Sequence, residues 1–238
     1  MIERHQRFCV WAGFAFAPTL LIGLAIAGFL QPPSPALDAA SIAQMFAEDR
    51  TRIRIGIWIA TAGSPLLAFY VAALSHLIRQ ITQGHSPLIT AQAVAGNCLL
   101  LEFIFPQMLW QAAAYRPERG ADFLLMLNDV AWLCYVGIVG TAIVQMLILA
   151  IAILQDQRPE PLVPRWCAFL CLWCAFGVAG GSLCIFFTTG PFAWNGIIAW
   201  WVLVFSFFIW MVTMAYYMSR VCSVALLGFP SNLMVNSQ

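Results

Sequence analysis

The chain has 238 residues, 62% of them hydrophobic and 9% charged, with a mean hydropathy of +0.85 and a formal net charge of +1. Water-soluble domains carry about 25% charged residues, so this composition excludes a protein that covers itself with a water-facing surface; the near-neutral balance gives no electrostatic reason to expect nucleic acid as a partner. All eleven cations are arginine, which excludes Schiff-base chemistry because that needs a lysine amine.

A membrane span needs about 20 predominantly apolar residues, and six stretches qualify. The first covers residues 8–30, with Arg4 and Arg7 before it and Gln31-Pro32-Pro33-Ser34-Pro35 stopping it, since consecutive prolines cannot continue helical hydrogen bonding. Ala25-Ile26-Ala27 resembles a signal-peptidase site, but the run is long enough to span, and we read it as an uncleaved first helix. Residues 34–50 follow, with Asp38 as an N-cap and Ile42, Met45 and Phe46 at helical spacing. They predict a short amphipathic helix near 38–49, its apolar edge on the bundle or the lipid interface. Arg50, Arg52 and Arg54 then lead into a second span at 53–78. Alternate positions on a helix lie about 200° apart, so Arg50 and Arg54 share a face and Arg52 does not.

The third span covers 88–115 and ends at Arg116-Pro117-Glu118-Arg119-Gly120; the fourth covers 130–154, the fifth 166–187 and the sixth 194–219. The expected fold is therefore all-α: one six-helix transmembrane domain over 1–222, the amphipathic helix in its first outer loop, and a tail at 223–238. With the N-terminus inside, arginines divide six inside to five outside, and the cations flanking the first helix all precede it. This points to both termini in the cytoplasm.

PPSPALDAASIAQMFAEDRTRIRIG, ILQDQRPEPLVPRW and FTTGPFAWNGIIAWW resemble stretches of a family of small bacterial membrane proteins with six expected helices and no established activity. The resemblance implies the topology and a bacterial cytoplasmic (inner) membrane; it supplies no site.

Most membrane catalysis is excluded by what is missing. Of three histidines, His76 alone lies within a span, too few for a di-iron or bis-histidine haem centre. Nucleotide-loop, zinc-protease and serine-hydrolase motifs are absent. Cys167, Cys171 and Cys174 stand at i, i+4 and i+7. That spacing suits a soft metal or a thiol pair, but no loop cysteine is available to relay electrons, and the three read as small packing residues. No metal or other cofactor is expected. Gly177 and Gly181 form a G-x-x-x-G, which seats a neighbouring helix of the same chain or a second copy of the chain. Trp194 reads as an interfacial anchor, whereas Trp200, Trp201 and Trp210 could line an aromatic cavity.

Two groups of polar residues remain. Glu102 lies about 14 residues from either end of the third span, where an ionised carboxylate costs about 2.5 kcal/mol or more, and Pro106 cannot donate to its carbonyl. With Asn97, Gln107, Gln111 and Gln145 it makes a candidate intramembrane site, read either as a polar cavity or as interhelical glue. Arg52, Arg54, Arg116 and Asp129 make a candidate outer-face cluster, read as a structural clamp with an Arg–Asp129 pair or as an anion vestibule. Two functions follow: binding or transport of a hydrophobic or amphipathic small molecule, with Glu102 at the polar end of its pocket, or a non-catalytic subunit of a membrane complex. A membrane-embedded enzyme of unrecognised type ranks third.

Overall fold

The structure, a computed structural model, describes residues 2–226 of the chain. Those residues form ten α-helices and no strand: α1 Ile2–Phe14, α2 Phe16–Ala27, α3 Ala39–Glu48, α4 Arg50–Gly63, α5 Leu66–Ile81, α6 Leu88–Tyr115, α7 Ala121–Gly137, α8 Gly140–Leu154, α9 Trp166–Ala179 and α10 Leu203–Leu226. A 3₁₀ segment, Gly180–Phe186, extends α9, and a π-helical segment, Ile197–Val202, leads into α10. Most of the expected tail, residues 227–238, lies outside the described residues.

Among the described residues, six stretches are long and apolar enough to cross a membrane: Arg4–Ala27, Arg50–Ile81, Leu88–Tyr115, Ala121–Leu154, Trp166–Phe186 and Ile197–Cys222. They are compatible with a multi-pass integral membrane protein. The fourth begins nine residues before the expected start, because Asp122 stands in its first turn, where the helix dipole favours an acid.

Of these six stretches among the described residues, Leu88–Tyr115 alone is one uninterrupted α-helix throughout, α6, with Pro106 inside it. The second span divides at Ser64-Pro65. Pro65 has no N–H to offer the Thr61 carbonyl, and Ser64 compensates: its N–H donates to the Thr61 carbonyl at 3.3 Å and its hydroxyl to the Ala60 carbonyl at 2.9 Å. The fourth span divides at Ile138-Val139, between Gly137 and Gly140.

Small residues set the tightest crossings. A Cβ on Gly56 would stand 2.4 Å from the Gly23 carbonyl oxygen, and one on Gly23 would stand 2.6 Å from the Gly56 carbonyl oxygen. The α2 and α4 backbones therefore touch, as small residues at a helix crossing allow. Gly177 and Gly181 abut Ser206 and Leu203 of the same chain in a similar way. α6 packs on α4, α5, α7 and α8. Around it lies an aromatic core, with Trp110 and Trp132 ring centroids 4.5 Å apart and Phe29 within 5.5 Å of both.

Helix α3 sits mainly on α7 through buried Ile42 and Phe46. Its N-cap is Asp38, whose carboxylate accepts from the Ser41 N–H at 3.0 Å. This contact with Ser41 lowers the Asp38 pKa, so the cap is complete at neutral pH and weakens as pH falls through the folded-state value. Asp38→Ala will free the first turn. Hydrogen exchange at Ala39–Ser41 will speed up at pH 7 relative to the parent, and the difference will shrink in acid.

Three arginines finish helix C-termini, whose last carbonyls lack intrahelical partners. Arg50 Nη2 donates to the Tyr115 carbonyl at 2.7 Å, closing α6, and Arg52 Nε donates to the Ile26 carbonyl at 3.1 Å, closing α2. At the opposite end of the bundle, Arg158 donates to the Gln80 carbonyl near the end of α5.

Candidate functional site

The expected intramembrane group does not form one pocket. Glu102 on α6 faces Thr141 in the first turn of α8, whose hydroxyl lies 2.8 Å from Oε1 and 2.7 Å from Oε2 and donates to the carboxylate. Thr141 is two residues beyond the Ile138-Val139 break. The chain of polar contacts continues through Gln145, whose Nε2 donates to the Thr141 carbonyl at 3.4 Å and whose Oε1 accepts from Gln92 Nε2 at 2.8 Å. Gln92 and Gln145 are buried. Gly96 makes room for them, since a Cβ there would stand 3.0 Å from Gln145 Oε1 and 2.4 Å from Val71. Glu102 and Gln145 are thus brought together, with Thr141 and Gln92 as partners that the sequence reading missed.

Gln107 and Gln111 turn to another neighbour. Gln107 is buried and accepts from the Ser64 hydroxyl at 3.4 Å, at the break of the second span. Gln111 Nε2 donates to the Arg54 carbonyl at 2.9 Å. Asn97 is exposed and donates back to the Ala93 carbonyl of its own helix at 2.8 Å.

The outer-face cluster also divides, and the expected Arg–Asp129 ion pair is not formed among the described residues. Helix α4, which carries Arg52 and Arg54, packs mainly on α2 and α6, whereas α7, which carries Asp129, packs mainly on α6 and α3, so α4 and α7 do not pack directly on each other. Arg52 instead pairs with Asp49 at 3.2 Å. Arg54 and Arg116 both lie over the Tyr115 ring, 5.7 and 5.8 Å from its centroid.

An internal cavity of about 350 Å³ lies between α2, α6, the α7–α8 break and the π segment before α10, within the range of small-molecule sites. The break contributes Tyr135, Ile138, Val139 and Ala142, and the π segment contributes Trp200 and Trp201. All lining side chains are aliphatic or aromatic; their polar atoms are the Tyr135 hydroxyl and the two indole N–H groups. Trp200 donates to the Leu30 carbonyl at 2.8 Å, so its N–H is committed. The wall has a lateral side where Leu30, Ile138, Trp201 and Phe205 are 38–60% exposed.

Glu102 was expected at the polar end of such a pocket, but it is not in the lining. Leu99 and Phe103 of α6 and Ala142 of α8 face the cavity, and the Glu102–Thr141 clasp lies beside them. Of the tryptophans expected as aromatic walls, Trp200 and Trp201 serve, whereas Trp210 packs against Tyr70 and Phe207. Trp194, expected as an anchor, donates to the Pro33 carbonyl at 2.7 Å and pins the first loop to the last span.

Cys167, Cys171 and Cys174 are buried free thiols on α9. No group of three or more His, Cys, Asp or Glu side chains among the described residues could hold a metal ion. No protein family, curated protein or solved structure matches this chain.

Proposed function

We propose that this is a multi-pass protein of the bacterial cytoplasmic membrane, both termini on the cytoplasmic side and α3 along the interface, that binds a neutral lipophilic small molecule within its helix bundle. The observation that carries the reading is the construction of the cavity. Interrupted helices at membrane depth are tolerated where they line an internal space, and here both a span break and a π segment do so. π segments are rare and concentrate at functional sites.

The lining fits an apolar body with one polar group. Its aliphatic and aromatic walls reject charge, and the Tyr135 hydroxyl, which has no protein hydrogen-bond partner among the described residues, offers one donor and one acceptor. The partly exposed lateral residues supply a path from the bilayer. Glu102 supports this site indirectly: its clasp on Thr141 fixes the start of α8 and therefore the positions of Val139 and Ala142.

Native mass spectrometry of protein released from mild detergent tests the reading. The parent will retain a small lipophile. Ala142→Leu, which projects a further isopropyl group into the space, will lose it, and Tyr135→Phe will retain less. A parent without retained ligand, together with an Ala142→Leu variant that is more heat-stable and unchanged in every other respect, would mean that the cavity is a packing void. The scaffold reading draws on the exposed face of Phe169, Trp173 and Phe176 on α9, and retention of a second protein chain in the same experiment would favour it.

A further inference from the structure

We propose that the lipid-facing groove between α4 and α6 is a binding site for one anionic phospholipid, its phosphate held between Arg54 and Arg116 and an acyl chain lying along Trp58 and Met108. This rests on the membrane reading above but not on the internal cavity, which α6 separates from the groove.

The groove encloses about 490 Å³. Arg54, Trp58 and Thr61 follow at i, i+4 and i+7 on α4, one helix face about 10 Å long. Met108 and Gln111, three apart on α6, form the other wall. Apolar surface alone would describe any lipid-facing helix. What sets this groove apart is the charge at its end. Arg54 and Arg116 both lie over the Tyr115 ring, and neither guanidinium has a carboxylate or hydrogen-bond partner among the described residues. Glu118 and Asp122 follow close in sequence but pair with neither. Arg54 in the groove wall and Arg116 over the same Tyr115 ring are two unneutralised forks, a match for a phosphate above an acyl chain, since guanidinium presents paired donors in phosphate geometry.

The site is also held ready. Arg50 ties the start of α4 to the end of α6 through the Tyr115 carbonyl, and Gln111 ties α6 back to α4 through the Arg54 carbonyl. The groove therefore keeps its width without a ligand, and little ordering opposes binding. Trp58, 65% exposed at its centre, is a built-in reporter.

The test uses the full chain in nanodiscs and in detergent. Phosphatidylglycerol will raise the thermal midpoint above that in phosphatidylcholine, and native mass spectrometry will show one tightly held phosphatidylglycerol per chain. In Arg54→Gln/Arg116→Gln that retention will fall by on the order of tenfold or more, the loss expected for charge-assisted pairs. Arg54→Lys/Arg116→Lys, folding equally well, will lose less. Brominated phosphatidylglycerol will quench the fluorescence that Trp58→Phe removes, and the Gln pair will abolish the preference over brominated phosphatidylcholine. Equal retention and equal quenching in the Gln pair would overturn the proposal. So would inorganic phosphate alone giving the same stabilisation, which would mark a headgroup-independent anion vestibule. Neither result depends on whether the internal cavity holds a ligand.

Discussion

Gly56→Ala will destabilise the bundle by about 1–3 kcal/mol, the usual cost of forcing a group into a filled interior. The added Cβ would stand 2.4 Å from the Gly23 carbonyl oxygen and 2.4 Å from the Ala27 nitrogen. These are backbone atoms, so no rotamer change can make room, and α2 and α4 must separate along their crossing. Gly140→Ala is the matched control, because a Cβ there meets nothing within 4 Å. Thermal unfolding in one detergent will show a clear loss for Gly56→Ala and none for Gly140→Ala. Matching midpoints would mean that the α2–α4 contact contributes little.

The second expectation concerns the clasp between α6 and α8. Thr141→Val keeps the side-chain shape but removes the donor on which both Glu102 oxygens converge. A carboxyl left without its partner inside the bundle costs about 1–3 kcal/mol, and more if charged. Glu102→Gln keeps an acceptor for the Thr141 hydroxyl and will be the mildest change. Glu102→Leu leaves only a neutral hydroxyl unpartnered and will fall between them. The predicted order of destabilisation is Thr141→Val, Glu102→Leu, Glu102→Gln, read from the same melting curves. Because the α8 start also carries Ala142, Thr141→Val will lower ligand retention along with stability. If Glu102→Leu proves the most harmful, the carboxyl has a role that its contact with Thr141 does not explain.

Much of this was legible from residues alone. Apolar runs and proline-rich punctuation marked the six long helices, and Asp38 followed by Ile42 and Phe46 marked α3 and its cap. The polar group on α6 was read by depth, where its members look alike, and not by direction. Asn97, Glu102 and Gln107 are spaced five apart, and each step of five turns a helix by about 140° beyond a full turn. They therefore cannot share a face: the structure leaves Asn97 exposed, turns Glu102 to α8 and turns Gln107 to the break between α4 and α5. Gln107 and Gln111, four apart, do share one, and both meet the second span. Thr141 carried no signal, because threonine is ordinary in a helix and its partner sits 39 positions away. The Arg–Asp129 pair was inferred from both groups lying at one end of the bundle; nothing in the sequence revealed that α4 and α7 would each pack on α6 rather than on each other. Pro65 and the Gly137–Gly140 pair were available as signs of broken spans, but the π segment has no comparable mark.

The arginines at the start of α4 bear on the order in which the chain completes itself. Synthesis delivers α2 before α4 and α6 after it. Arg52 therefore finds the Ile26 carbonyl as soon as the second span is made, and the first hairpin can close its shared end at once. Arg50 has to wait for Tyr115, some 65 residues later. Until the third span arrives, the second is tethered on one side only, and a chain halted in that interval would present an unmatched guanidinium where the finished protein has a sealed helix end.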